Sequence, residues 1–382
     1  MNSKERVRAA INREVPDEVP LGFYLVDYDI IEKVIGRPTY VRNKVKSQIA
    51  FWEGRRDEVV ESYRKDTVEF YQKIDVVDLI TYKEAPLVPP KNYEPDPPQK
   101  IGEGLWRDRE GRIYKLSEIS NEIVCVEDPT QWNKEYTVEM FEEPIEDVAP
   151  DPSIFEAWDY VMEHLGKDRY IAGYSGGIVA MVLLGGMERG LMEYIEHPEV
   201  VRAATRRAVK EQNQKDSYYI RSEQDGIFFE QDLGGTNGPL MSPTMFREFC
   251  LPAMKERIAH MKSFGDYQII FHCCGNTWDL LDMFVEAGVQ CYQSLQTNAG
   301  MEIGRLKAAY GDKLCFWGGI ALENLIQGSP EDVRKNVREA MERGAPGGGF
   351  ILGPSHSIAK GTKYDNFMAM LDEYNRLKDK FS

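Results

Sequence analysis

Eight short apolar runs, separated by stretches with helical periodicity, constrain this sequence more than any other feature. Two come early, Val19 to Leu25 and Asp75 to Ile80. From residue 152 onward helix and strand alternate, with runs at Arg169 to Tyr174, Gly226 to Asp232, and near 267–273, 289–295, 314–318 and 349–353. Eight strands each followed by a helix fit an α/β chain folded as a TIM (β/α)8 barrel. A doubly wound sheet competes, but no strand leads into a Gly-x-Gly-x-x-Gly turn with an acidic partner downstream.

The regions between the runs fill in one domain, 1–382. Residues 3–14 read as a leading helix, and 43–73 as one or two amphipathic helices. Residues 86–98 hold six prolines, and Trp106 to Tyr114 reads as a hairpin around Glu110-Gly111. These lie in an N-terminal helical and hairpin insertion at about 84–150, on the barrel face. A long helical region is expected to run to about 222. Ser242-Pro243 begins a helix, with Ser as N-cap and Pro in the first helical position.

Composition excludes some partners. With 47 basic and 63 acidic residues the net charge is -16, a surface that repels nucleic acid and anionic membrane. No window approaches eighteen uninterrupted apolar residues, and the first residues carry no apolar signal segment. Six scattered cysteines without framework spacing suit a reducing cytoplasm, the expected location.

In such a barrel, chemistry gathers where the strands end. The third to eighth runs end in Tyr174-Ser175-Gly176-Gly177, Glu230-Gln231-Asp232, His272-Cys273-Cys274-Gly275, Gln293-Ser294-Leu295-Gln296, Trp317-Gly318-Gly319 and Gly353-Pro354-Ser355-His356. None of these ends carries a basic residue. Strand side chains alternate, so His272 and Cys274 share one face and Cys273 takes the other. Imidazole and thiolate converging at a strand end form half of a zinc site, and His356 is the candidate third ligand, with Cys273, Glu230 and Asp232 as substitutes. Glu230 and Asp232, two apart, share a face and suit acid–base work. Cys125, Cys250, Cys291 and Cys315 read as core thiols.

The second half, about 150–380, resembles the uroporphyrinogen decarboxylase superfamily and, within it, the cobalamin-dependent methyltransferases. The resemblance rests on Ser242-Pro243 with Phe246 and Pro252, on His272-Cys273-Cys274-Gly275, on Gly318-Gly319, on Gly347-Gly348-Gly349-Phe350 with His356, and on Asp365-Asn366. The first 150 residues match poorly. Decarboxylases of the family carry an arginine-rich signature near the N-terminus; the corresponding Pro20 to Leu25 has no arginine, which counts against a porphyrinogen substrate. The methyltransferase branch holds zinc with a His-x-Cys pair and a later thiolate. Here the pair is His272 and Cys274, and His356 stands near the later position. The resemblance therefore implies a corrinoid-protein methyltransferase of the O-demethylase type. It would move a methyl group from a small methoxylated substrate, favoured as aromatic, to the Co(I) corrinoid of a separate protein, since the chain carries no corrinoid-binding motif. The alternatives are a methylcobamide:thiol methyltransferase of the coenzyme M type and a metal-free decarboxylase. The expected site has zinc on His272, Cys274 and His356, catalytic Glu230, Asp232 and Tyr174, and substrate contacts from Phe23, Tyr24, Gln293, Gln296 and Trp317. A homodimer is left open.

Overall fold

In a computed structural model, residues 1–132 and 134–381 are described. Two early strands, β1 (Gly22–Phe23) and β2 (Leu79–Thr81), are followed by a separate antiparallel sheet of β3 (Gln99–Gly102), β4 (Leu105–Arg107), β5 (Ile113–Ser117) and β6 (Glu122–Glu127). Then come β7 (Tyr170–Gly173), β8 (Gly226–Glu230), β9 (Gln268–His272), β10 (Cys291–Gln293), β11 (Cys315–Ile320) and β12 (Phe350–Pro354). The order β1-β2-β7-β8-β9-β10-β11-β12 is parallel at every step. A parallel bridge between Leu21 and Leu352 closes the ring, with Leu352 N–H donating to Pro20 O at 2.9 Å. With helices packed around it, this is the TIM barrel that the eight runs predict.

Alternation sorts the strand residues. Leu79, Tyr170, Phe228, Ile270, Cys291, Cys315, Trp317 and Ile351 form the inner cluster, while Ile80, Ile171, Ile227, Phe229, Phe271, Tyr292 and Phe316 pack outward. Inner parity carries on to Tyr174, Glu230, His272, Cys274 and Gln293 at the strands' C-terminal ends. The helix Ser3–Ile11 packs Val7, Ala10 and Ile11 into the same inner cluster.

Three sequence expectations shift. Asp75 to Asp78 is not strand: the Asp78 carboxylate instead accepts a hydrogen bond from Leu21 N–H at 3.1 Å, and β2 starts only at Leu79. The long helix after β7 is two, Met187–Glu196 and Pro198–Tyr219, because Pro198 forces His197 out of helical geometry. The hairpin at 106–114 pairs Arg107 with Ile113, but β3 and β6 extend it to four strands. That sheet meets the helix Lys44–Trp52 through the Trp52 and Trp106 rings, 5.6 Å apart, and a Lys44–Glu122 ion pair. Ser242 caps the helix from Pro243 as its sequence predicts, accepting from Met245 N–H at 3.2 Å. No helix among the described residues is long and apolar enough to cross a membrane.

Candidate metal centre

The end of β9 sets the centre. His272 and Cys274 share the inner face, and Cys274 Sγ lies 3.2 Å from His272 Nε2. Gly275 follows at φ +80, where a side chain would strike Gly234 O at 2.2 Å, so only glycine lets this turn press against the loop after β8. His356 arrives from two residues beyond β12. One ligand atom from each of His272, Cys274 and His356 lies within 4.8 Å of the others. Cys273 faces the other way, its sulfur accepting from Leu233 N–H at 3.2 Å.

Neighbouring groups hold these donors in place. Gln293, the register partner of His272 on β10, accepts a hydrogen bond at His272 Nδ1. That fixes the neutral tautomer with Nε2 left to bind a cation. Burial, with His356 nearby, pushes the His272 imidazole down to about 4 against the opposing pull of Gln293. Burial also lowers His356. Burial pushes the Cys274 thiol up to about 12, and Asp232 adds to the shift. Two neutral imidazoles and one thiol are therefore offered, and a cation would have to displace the thiol proton. This donor set fits zinc: three nitrogen and sulfur ligands with one position left open. Ser294 takes φ +86, unusual for a residue with a side chain, and its Oγ donates to Ser355 O at 2.8 Å, tying β10's loop to the segment that carries His356.

Tyr24 forms a lid over the histidines. Its ring stacks on His272 at 4.3 Å and meets His356 edge-on at 5.8 Å. Its hydroxyl donates to Glu230, whose other carboxylate oxygen accepts from Lys83. Burial raises the Glu230 carboxyl, but Lys83, the Tyr24 hydroxyl and His272 together outweigh it and the net direction is down. Lys83, in the short turn after β2, adds a cation at a strand end that the sequence reading did not include. Placing the second strand four residues too early in the sequence hid it.

The remaining expected residues divide. Asp232, 65% exposed at its side chain, accepts from Cys274 N–H at 3.0 Å and lies 3.9 Å from His272 Nε2. Gln296 accepts from Gly275 N–H at 3.0 Å, so it braces the loop. Gln293 braces His272 and is fully buried. Trp317, fully buried, donates from Nε1 to Gly22 O at 3.1 Å, one layer below the mouth. Phe23 is fully buried outside the barrel against Phe367, 6.1 Å away. Phe23 and Trp317 are thus corrected: neither has surface to offer a substrate. Cys125 is corrected too, since it is exposed on β6. Tyr174 lines a cavity of ≈ 220 Å³ together with Lys83, Gly177, Gln212, Phe228 and Glu230. A larger groove of ≈ 760 Å³, lined by Arg206, Lys210 and His260, holds none of the strand-end residues.

The sequence profile of uroporphyrinogen decarboxylase (URO-D) matches residues 122–377. No curated protein matches the sequence. A solved methyltransferase from Methanosarcina mazei has the same fold, with a TM-score of 0.62 over 99% of this chain and 99% of its own, at 16% sequence identity.

Proposed function

Because the chain belongs to the uroporphyrinogen decarboxylase family, we propose that it is a zinc-dependent methyltransferase that moves a methyl group from a methoxylated aromatic substrate to the Co(I) corrinoid of a separate protein. The observation that carries this reading is the convergence of His272, Cys274 and His356 beneath a Tyr24–Glu230–Lys83 chain. A methyltransferase with this fold, from Methanosarcina mazei, supports the same reaction class. Zinc held by the three residues would supply Lewis acidity toward the ether oxygen.

We assign the other steps to the chain's own groups. Loss of the methyl group leaves an aryl oxygen that must gain one proton. Glu230 holds that proton's route, drawing it from Lys83 Nζ or Tyr24 Oη, both hydrogen-bonded to it. Asp232 keeps Cys274 in place through the backbone, and Gln293 keeps His272 in the tautomer that presents Nε2. Tyr174 and Phe228 give the cavity its aromatic wall. A substrate with many carboxylates does not suit this cavity, whose one lining cation, Lys83, is already paired.

The test is metal analysis joined to a methyl-transfer assay. Protein purified without chelator should hold about one zinc per chain. With anaerobic cob(I)alamin and methoxybenzene or 2-methoxyphenol, the wild type should form methylcobalamin, read by its absorption, and Cys274→Ala should not. Protein that holds no zinc and forms no methylcobalamin from either ether overturns the reading.

A further inference from the structure

We infer that Ser294 is a positioning residue of the metal centre: its strained backbone sets a hydroxyl between Cys274 and the segment that carries His356, and so assembles the three ligands before a cation arrives. The inference rests on the zinc reading and adds to it a residue that acts only through the ligands. Of the four non-glycine residues with positive φ among the described residues, Ser294 alone is buried, at 1% exposure. Such backbone is costly for a residue with a side chain and persists only where the surroundings hold it.

Alternation explains what the strain does. Gln293 faces the barrel interior, so a continued strand would turn Ser294 outward, as Cys273 is turned. With φ at +86 the strand pattern ends, and Ser294 Oγ lies 3.6 Å from Cys274 Sγ, on the ligand side. Its one proton goes to Ser355 O at 2.8 Å, which leaves its lone pairs for the Cys274 thiol.

The bridge spans a whole strand. Cys274 follows β9 and His356 follows β12, with β10 and β11 between them in the ring. At this level β11 is bare: Gly318 and Gly319 take φ +147 and +99, and a side chain at Gly318 would come within 3.0 Å of Leu295. The two glycines thus let the loop after β10 fold over β11. On one side Gln296 fixes that loop to the turn after Cys274, accepting from Gly275 N–H at 3.0 Å. On the other, Ser294 reaches Ser355, the residue before His356. Backbone bonds also hold the His356 segment, from Ser355 N–H to Ile320 O at 2.7 Å and from Ile358 N–H to Leu25 O at 2.8 Å. Neither of those runs to the β9 side.

Two variants separate strain from hydroxyl. Ser294→Ala loses the hydroxyl and keeps the unfavourable φ; Ser294→Gly loses the hydroxyl and the strain together. Each full-length protein, metal-free, is melted, then titrated with zinc against a competing chelator and with Co(II), whose thiolate charge-transfer and d–d absorption report the ligand arrangement. The glycine variant should melt higher than the alanine variant. Both should bind zinc roughly tenfold more weakly than wild type, and both should give the same altered Co(II) spectrum. A role in folding alone would make affinity follow stability, so affinity restored in the glycine variant overturns the inference. So do wild-type affinity in both variants, an unchanged Co(II) spectrum, or an alanine variant that melts no lower than the glycine one. If the alanine variant fails to fold, the glycine variant decides alone: weaker zinc binding with an altered spectrum supports the role, and wild-type binding overturns it. Wild-type protein that binds neither cation sinks the zinc reading and the inference with it. Wild-type protein that binds both, beside variants that bind as tightly, sinks only the role of Ser294.

Discussion

The two ends of the barrel use the same residue types for opposite ends. At the N-terminal end, carboxylates just before the strands meet cations from the helix Ser3–Ile11. Arg6 reaches Asp78 at 2.8 Å, and Lys4 and Arg8 each reach Asp225 at 3.0 Å. The same carboxylates also take backbone N–H groups, Asp78 from Leu21 and Asp225 from Ile171. Cys291 and Cys315 are register partners there, both fully buried, and burial pushes the Cys291 thiol well up. At the C-terminal end Cys274 has the His272 imidazole at 3.2 Å. The first end pairs its carboxylates with cations and backbone N–H groups; the second gathers the two imidazoles and the thiol proposed to hold a metal.

The sharpest way to break this contrast is to exchange a cysteine's fate. His272→Ala or Cys274→Ala should take zinc from about one per chain to almost none and methyl transfer below about 1% of wild type, since even supporting residues of such sites cost 10–100-fold. Their folds, read by circular dichroism, should match metal-free wild type. Cys315→Ala should keep its zinc and lose only about 1 kcal/mol of stability. Zinc retained in both mouth variants, or lost in Cys315→Ala, would erase the distinction. At the closed end, Asp78→Asn removes one of the carboxylates on Arg6, which is only 12% exposed, and leaves it Asp17 at 2.9 Å. With Arg6 still paired to Asp17, losing the charge-assisted bonds of Asp78 costs about 2 kcal/mol. Denaturant unfolding should show that loss with zinc content unchanged.

How much of this was legible follows from what alternation encodes. Period two fixes which face a residue takes, so His272 and Cys274 could be paired from sequence, and the apolar run before His356 placed it at the same end. Alternation also says that Phe23 and Tyr24 cannot both face inward; only Tyr24 does. It does not give height. Trp317 has inner parity but sits below the mouth, in space left by Gly22 and Gly353, where side chains would come within 2.7 Å of its indole. Nor does it give register: Gln293 reads as a substrate contact in the sequence, and its pairing opposite His272 puts its side chain on the His272 ring instead. Lys83 escaped because Asp75 to Asp78 mimics a strand start.

Gln293 therefore makes a finer test of the open end than the ligands do. Gln293→Leu keeps the volume and removes the acceptor on His272 Nδ1. Zinc affinity, measured against a competing chelator, should fall 10–100-fold while the thermal stability of the metal-free protein barely changes. Unchanged affinity would mean that the imidazole needs no partner to present Nε2, and the mouth would be less prearranged than its geometry implies.

The smallest expected effect lies at the closed end and depends on pH. Burial raises the Asp17 carboxyl, but Arg6, donating at 2.9 Å, and the N-terminal amine at 2.6 Å together outweigh it and the carboxyl is held down to about 2. A carboxyl whose folded value lies below its unfolded one stabilises the fold above the unfolded value, near 4, and loses that contribution as pH falls toward 2. Asp17 is 40% exposed at its side chain, so solvent screens the pair and the contribution is modest. Melting temperatures of wild type and Asp17→Asn should differ at pH 5 to 7 and converge between pH 4 and 2. Zinc content at neutral pH should be the same in both, because Arg6 and Asp17 lie at the end of the barrel away from His272, Cys274 and His356. A gap between the two proteins that persists at pH 2, or zinc lost from the variant at pH 7, would show that the two ends are coupled.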